Sequence, residues 1–255
     1  MAFDSFPIEM VVTCFTLISG LHFGLLYSLF VSHSIKIFKS PVIRFFLLSI
    51  VISTLSISFN LVHSDMAENW IEALRMALFQ VVTISTTTGF ATADTSVWPT
   101  FSILILLYLS IQGACSGSTT GGLKVDRIWI LIQTIKVQMT KLLHPTSVVQ
   151  IKVGNRRIDS DLSLSVSAFV ALHFFMIIIG AIVISAWGLD FMDSFTSSVS
   201  MMGNVGPAFG SCGSLENFSH FPGVVKVFLS LQMLLGRLEI YPLLMILSIF
   251  RVRRG

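Results

Sequence analysis

Long apolar stretches, separated by short polar segments, fill most of this 255-residue chain. A helix needs about 20 apolar residues to cross the roughly 30 Å hydrocarbon layer of a bilayer. Stretches that reach or approach this length cover residues 9–35, 42–62, 98–123, 163–187 and 220–250. The pattern therefore predicts an all-α membrane protein with five spans.

Two further segments, 69–85 and 190–203, are semi-apolar and too short to cross a bilayer. Each ends at a glycine-containing turn, Thr86-Thr87-Thr88-Gly89-Phe90 in one case and Gly203-Asn204-Val205-Gly206-Pro207 in the other. Non-helical backbone is tolerated at membrane depth only where protein or a wet cavity satisfies it. The pattern predicts two half-helices that enter the membrane and turn back at these loops.

The order of span, half-helix, turn and span occurs twice along the chain. Self-similarity of this kind is typical of proteins built from structural repeats. We predict two complete span–pore-helix–span repeats, over 37–123 and 159–255, with a basic cytoplasmic linker over 124–158. The segment 1–36 is interpreted as the last span of an incomplete repeat.

Composition agrees with a membrane protein of several spans. Hydrophobic residues make up 54% of the chain and charged residues only 11%, and the mean hydropathy is +0.85. Lysine and arginine cluster in 36–44, 124–157 and 251–254, whereas acidic residues predominate between these clusters. By the positive-inside rule the basic clusters face the cytoplasm, which predicts an external N-terminus and a cytoplasmic C-terminus. Charge spread in this way does not favour nucleic-acid binding.

No arrangement typical of covalent catalysis is visible. The three cysteines, Cys14, Cys115 and Cys212, are far apart and lack the spacing of a metal site or a disulfide framework. No nucleotide-binding glycine motif lies between a strand and a helix. We therefore expect neither enzymatic activity nor a tightly bound organic cofactor.

The two glycine-containing turns have the composition of an ion filter. A permeating potassium ion exchanges its hydration shell for protein oxygens, commonly main-chain carbonyls. Glycine adopts the backbone angles that turn a carbonyl inward. The predicted filter residues are Thr87, Thr88, Gly89, Asn204, Val205 and Gly206, with K⁺ bound at Thr87, Thr88, Asn204 and Val205. The alternative is that both turns are ordinary external loops.

A stretch rich in glycine, serine and threonine, 113–124, follows an apolar run that is too short to span. The run 98–110 covers only about 20 Å as a helix, which places the stretch within the inner half of the membrane. We predict a gate there, formed by Gly113, Ser116, Gly117, Ser118, Gly121, Gly122 and a pore-facing Arg237. The alternatives are a helix-packing surface of small residues, and an arginine that reaches the inner headgroups.

At these residues the chain resembles the Trk/Ktr/HKT superfamily of potassium uptake transporters, and within it the C-terminal half of the bacterial Trk/Ktr membrane subunit. The motifs are STTTGFATAD over 85–94, GACSGSTTGGLK over 113–124, LHP over 143–145, KVGNR over 152–156, GNVGP over 203–207 and GRLEI over 236–240. The resemblance implies four span–pore–span repeats around one pore. Gly89 would be the third filter glycine and Gly206 the fourth.

The same resemblance implies an intramembrane gate loop at 113–124 and a pore-facing arginine at Arg237. It also implies a cytoplasmic ring of nucleotide-binding regulatory subunits, which would dock on the basic surface of 124–158 and 251–254. The expected function is potassium uptake, with potassium as the transported ion. Two turns supply half of a four-part ring, so we expect a separate N-terminal half or self-association. The alternative is a truncated, non-conducting subunit or scaffold.

Overall fold

The computed structural model describes residues 5–32, 40–145, 149–154 and 156–238 of the chain, which is mostly helical. In those residues the α-helices are α1 (Phe6–Ser19), α2 (Phe23–Ser32), α3 (Pro41–His63), α4 (Trp70–Ser85), α5 (Thr100–Gln112), α6 (Val125–Leu143), α7 (Ser160–Ser185), α8 (Phe191–Gly203) and α9 (Gly223–Leu238). A short antiparallel hairpin pairs β1 (Ile151–Val153) with β2 (Arg156–Ile158).

The helices form two triads with the same order of elements. In the first, α4 packs against α3 and α5, and α3 also packs against α5. In the second, α8 packs against α7 and α9, and α7 also packs against α9. Contact between α5 and α8 joins the triads. Helix α8 and the second half of α4 are buried.

Two helices of the described residues, α3 and α7, are long and apolar enough to cross a bilayer unaided. The shorter helices α1 and α5 are also apolar. The predicted span 220–250 corresponds to α9 as far as Leu238, and its remainder lies outside the described residues.

The predicted span 9–35 is not one continuous helix, because the helix breaks after Ser19 and begins again at Phe23. The Gly20 carbonyl accepts a hydrogen bond from Cys115 N (3.1 Å), and Phe23 N donates to the Gly117 carbonyl (3.1 Å). The groups that a continuous helix would pair internally are thus used to hold the segment 113–124. Gly20 is required here, because a β-carbon would lie 2.9 Å from Thr86 Cγ2.

The predicted linker 124–158 contains a long helix and a β-hairpin, and is not only an amphipathic connection. Its first part is the 19-residue helix α6, which packs against α3, α7 and the hairpin. The hairpin was not predicted, and Gly154 lies at its turn with φ +61°. The linker is therefore a packed unit attached to both triads.

Helix α8 is buried nearly all round although many of its side chains are polar. Its buried hydroxyl residues are Ser194, Thr196, Ser197, Ser198 and Ser200. Ser198 Oγ donates to the Ile177 carbonyl (2.7 Å) and accepts from Gln232 Nε2 (2.6 Å). These bonds offset the loss of hydration that buried polar groups suffer. They tie α8 to both α7 and α9.

An ion pair joins the first helix to the half-helix α4. Arg75 donates from Nε to Glu9 Oε2 (2.6 Å) and from Nη2 to Glu9 Oε1 (2.8 Å). Glu9 is 4% exposed and the Arg75 side chain 33% exposed. Such a bidentate pair fixes both distance and orientation, so α1 is positioned directly against α4.

Replacing Glu9→Gln is expected to lower the free energy of unfolding by about 2 kcal/mol, because the charge of Arg75 loses its bidentate partner. Thermal unfolding of the purified protein measures this. In a double-mutant cycle, Arg75→Gln added to Glu9→Gln is expected to cost less than the sum of the single changes. Glu72→Gln, at an exposed site on the same helix, serves as control; additive losses at Glu9 and Arg75 would contradict the pairing.

Candidate functional site

The first turn ends α4 in a geometry that glycine usually provides. Thr87 has φ +54°, the Thr87 amide donates to the Ile84 carbonyl (3.0 Å), and the Thr88 amide donates to the Thr83 carbonyl (3.0 Å). This pair of bonds is the Schellman motif, in which the residue after the helix is left-handed. Gly89 follows with φ +70°.

The second turn repeats this pattern at the end of α8. Asn204 has φ +57°, its amide donates to the Met201 carbonyl (3.1 Å), and the Val205 amide donates to the Ser200 carbonyl (3.0 Å). Gly206 follows with φ +107°. Thr87 and Asn204 are therefore equivalent positions, as are Gly89 and Gly206. Both half-helices direct their partly negative C-terminal ends toward these turns.

The two turns touch each other. A β-carbon placed on Gly89 would overlap the Val205 carbonyl oxygen and lie 3.0 Å from Pro207 Cδ. One at Gly206 would meet nothing within 4 Å. Further along, the Thr95 amide donates to Ser214 Oγ (3.0 Å), which donates to the Ala93 carbonyl (2.8 Å). The segments that follow the turns are thus joined as well.

Hydroxyl groups bond each turn to the helix that precedes it. Thr88 Oγ1 donates to the Thr83 carbonyl (3.2 Å), and Ser200 Oγ donates to the Pro207 carbonyl (2.7 Å). In the described part of the chain, the main-chain carbonyl oxygens of Thr87, Thr88, Asn204 and Val205 accept no hydrogen bond, and the same holds for those of Thr86, Gly89 and Gly206. Unpaired acceptors are uncommon away from water, so these oxygens are suited to bind a cation.

The segment 113–124 lies against both turns. Gly121 N donates to Thr87 Oγ1 (3.1 Å), and a β-carbon on Gly121 would lie 2.7 Å from both Asn204 Cβ and the Gly203 carbonyl oxygen. Among the predicted gate residues, Gly113, Gly117 and Gly122 have positive φ. Gly113 is also crowded, because its β-carbon would lie 2.8 Å from the Gly121 carbonyl oxygen.

Hydrogen bonds attach this same loop to its surroundings on two sides. The Ser116 amide donates to Asp126 Oδ2 (2.6 Å) at the start of α6, and the Val125 amide donates to the Ala114 carbonyl (3.0 Å). Ser118 Oγ donates to the Cys115 carbonyl (2.6 Å) within the loop. Together with the bonds to Gly20 and Phe23, they give the loop a defined shape despite its glycines.

Arg237 lies in the last turn of α9 and is exposed. Within the described ranges it makes no hydrogen bond or ion pair, so the structure does not join it to the loop 113–124. Its neighbour Gly236 lies against the second turn, since a β-carbon there would overlap the Met202 carbonyl oxygen. Asn204 Nδ2 donates to the Met233 carbonyl (2.9 Å), which fixes the second turn to α9.

A polar cluster closes the segment that follows the second turn. Asp193 accepts from the Ser211 amide (2.8 Å) and from Ser211 Oγ (2.5 Å). His220 Nε2 lies 2.8 Å from the same hydroxyl. Burial raises the pKa of the neighbouring Cys212 thiol to about 11, so that thiol is protonated at neutral pH. In the residues that the structure describes, no group of His, Cys, Asp and Glu is arranged to hold a metal ion.

Sequence reasoning did not identify Gly20, Asp126 or the Glu9–Arg75 pair. A weak signal existed for two of these features. Asp126 is the first acidic residue after the glycine-rich segment and lies in the first turn of a helix. Glu9 and Arg75 are charged residues within largely apolar helices, where a charge usually has a partner. Nothing in the sequence pairs them, since they are 66 positions apart.

A family model described as TrkH, cation transport protein, matches residues 1–251. The chain belongs to this family. The Trk system potassium uptake protein TrkH of Salmonella typhimurium is 36% identical over 251 residues, which cover 96% of this chain and 51% of that protein. TrkG of Escherichia coli is 31% identical over 249 residues, 97% of this chain and 51% of that protein.

The fold is also similar to a solved member of the TrkH family. The crystal structure of the potassium transporter TrkH from Vibrio parahaemolyticus matches with a TM-score of 0.89 and 33% identity, over 96% of this chain and 53% of that one. The predicted relation to Trk potassium transporters is thereby confirmed, and this family is one of membrane cation transporters, not of enzymes. The chain spans about half the length of the curated relatives it matches.

Proposed function

We propose that the two turns form part of the selectivity filter of a potassium uptake pore. The observation that carries this proposal is the pair of matching turns, which touch and leave the same carbonyl oxygens without hydrogen bonds. The oxygens of Thr87, Thr88, Asn204 and Val205 replace the water around a K⁺ ion. The proteins that this chain resembles carry the words "potassium uptake" in their names, which supports the choice of ion.

The electrostatics of the site favour a cation of single charge. The C-terminal ends of α4 and α8 add two partial negative charges beside the turns, and there is no acidic side chain in either turn, 86–90 or 203–207. A neutral ring of carbonyls binds a monovalent ion without holding it too tightly for release. Here α4 and α8 act as re-entrant pore helices between the spans of each triad.

These two turns are half of a four-part ring. The other two turns lie outside residues 1–255. The ring encloses one pore, which the two turns line. In this arrangement the chain has an external N-terminus and a cytoplasmic C-terminus, as the basic clusters indicate. Its membrane is the plasma membrane, the inner membrane of a bacterium, in keeping with its bacterial relatives.

The loop 113–124 is the gate of this pore. It lies directly against both turns and is composed of small residues, so it blocks the path when seated and opens it with a small displacement. Arg237, on the exposed end of α9 beside the second turn, faces the same pore and opposes the passage of cations. A cytoplasmic ring of nucleotide-binding subunits acts on this gate through α6, whose exposed basic side chains include Lys136 and Lys141.

Potassium-limited growth and rubidium tracer uptake test the proposed function, in the organism that encodes the chain. Deletion is expected to abolish the uptake that the transporter provides, and the restored chain to recover it. The other candidate function is that of a non-conducting membrane scaffold. A chain with both Gly89→Ser and Gly206→Ser separates the two: a conducting filter loses uptake, whereas full uptake with both serines would identify a scaffold.

A further inference from the structure

Thr87 has an unusual backbone conformation for its residue type. It is β-branched, and such residues rarely adopt positive φ, yet Thr87 has φ +54°. Asn204, at the equivalent position of the second turn, has nearly the same φ at little cost, because asparagine tolerates the left-handed region. The first turn is therefore strained at a point where the second turn is not.

The side chains at these equivalent positions are held by different parts of the molecule. Asn204 is tied to α9 through its bond to the Met233 carbonyl. Thr87 accepts from the Gly121 amide, which belongs to the loop 113–124. Strain of this kind persists only where the surroundings enforce it. The loop 113–124 therefore helps to hold the left-handed conformation of Thr87, whereas helix α9 helps to hold that of Asn204.

The loop 113–124 is built so that it can move away from the two turns. Three of its glycines have positive φ, and its contact with Asn204 and Gly203 depends on Gly121 lacking a side chain. At its two ends the loop is bonded to the Leu109 and Ile111 carbonyls of α5, whereas its bond to Gly20 lies beside the first turn, because Gly20 packs against Thr86. Displacement of the loop from the turns thus breaks the Gly121–Thr87 and Cys115–Gly20 bonds while leaving the bonds to α5 as a hinge.

We infer that the Thr87 hydroxyl couples the seating of loop 113–124 to the shape of the first turn, so that ion affinity and loop position depend on each other. This inference rests on the proposed filter function. With the loop seated, Thr87 is held in its strained conformation, and the carbonyl oxygens of Thr87 and Thr88 are available to the ion. When the loop leaves, the turn relaxes and binds K⁺ less well. Because coupling between two sites is reciprocal, bound K⁺ in turn favours the seated loop.

Cys115 provides a natural reporter of loop seating. It lies in the loop, is 1% exposed, and its amide donates to the Gly20 carbonyl. Unseating the loop exposes the thiol to a membrane-permeant maleimide, and mass spectrometry separates its labelling from that of Cys14 and Cys212. The measurement is made in membranes of the encoding organism, with each variant at the chromosomal position, in K⁺ and in Na⁺ medium.

Three variants separate the hydroxyl from the bulk of the side chain. Thr87→Val keeps the β-branch but removes the acceptor, and is expected to raise the labelling rate of Cys115 about fivefold, the effect of one lost hydrogen bond. Thr87→Ser keeps the acceptor and is expected to label as the unmodified chain does. Thr13→Val removes a hydroxyl bonded only within α1 (2.7 Å to the Glu9 carbonyl) and serves as control.

Comparison of K⁺ with Na⁺ tests whether ion binding and loop position depend on each other, and not only whether Thr87 packs against the loop. K⁺ is expected to slow labelling of Cys115 relative to Na⁺ in the unmodified chain and in Thr87→Ser, and to have no effect in Thr87→Val. A labelling rate in Thr87→Val equal to that of the unmodified chain would overturn the inference, as would a K⁺ effect that survives in Thr87→Val. Rubidium uptake, recorded in the same cells, reports separately on the proposed function.

Discussion

Gly89→Ser is expected to lower the preference of the transporter for K⁺ over Na⁺ by at least about tenfold, a change of 1.4 kcal/mol. Two independent effects act at this position. The residue has φ +70°, which side chains disfavour, and its β-carbon would overlap the Val205 carbonyl oxygen of the other turn. The serine therefore displaces one of the proposed ion ligands as well as straining its own turn. Competition between K⁺ and Na⁺ for rubidium uptake measures the change.

Substitutions at two other glycines separate the effect of backbone strain from that of the overlap with the Val205 carbonyl oxygen. Gly206 has φ +107° but open space around its β-carbon position, so Gly206→Ser is expected to reduce selectivity less than Gly89→Ser. Gly188 has φ +83° and open space, and it lies before α8, away from both turns. Gly188→Ser is therefore expected to keep the selectivity of the unmodified chain. Equal loss in all three variants would mean that the turns do not select the ion.

Gly121→Ala is expected to raise the passive potassium leak about tenfold. Glycine 121 does not need a positive φ, so the cost of alanine is steric: its β-carbon would lie 2.7 Å from Asn204 Cβ and from the Gly203 carbonyl oxygen. Overpacking of this kind costs typically 1–3 kcal/mol, and the loop relieves it by moving away from both turns. Rubidium efflux from membrane vesicles without added nucleotide measures the leak.

Gly223→Ala is the matched control for this leak. It makes the same chemical change at the start of α9, where a β-carbon would meet nothing within 4 Å. Its efflux is expected to equal that of the unmodified chain. A Gly121→Ala transporter with unchanged or slower efflux would show that the loop 113–124 does not obstruct the pore, and the gate assignment would then be wrong.

The two short helices that precede the turns were predictable from sequence almost to the residue. Segments 69–85 and 190–203 were predicted, and the helices span Trp70–Ser85 and Phe191–Gly203. The reason is local: an amphipathic run ends where the next residues adopt left-handed conformations that close the helix. The equivalence of Gly89 and Gly206 was predicted on the same basis, and it agrees with the hydrogen bonds of the turns.

Features that depend on distant parts of the chain were not predictable in this way. The helix break at Gly20 lies within a largely apolar stretch, so the sequence gives no sign of it. Cys115 and Gly117 stabilise the break by pairing with the Gly20 carbonyl and the Phe23 amide. The Gly121–Thr87 bond likewise joins segments that composition alone does not bring together. For Arg237, the sequence indicated a pore-facing charge, which stays a prediction, because the described residues contain no partner that orients it.

The relation to Trk transporters came from motifs spread over most of the chain, and not from hydropathy. Apolar periodicity identifies spans but does not separate one transporter family from another. The combination of two filter-like turns with the glycine-rich segment 113–124 was specific enough to indicate the family that the comparisons identify. The hairpin of the linker, with only three residues in each strand, left no comparable signal.

The position of a bound ion is the most direct test of this account. A structure of the complete transporter, determined in thallium or rubidium salts, reveals such an ion by its scattering. The account predicts an ion in direct contact with the carbonyl oxygens of Thr88 and Val205, on the axis between the two turns. An ion bound elsewhere, with these carbonyls directed at lipid, would contradict it.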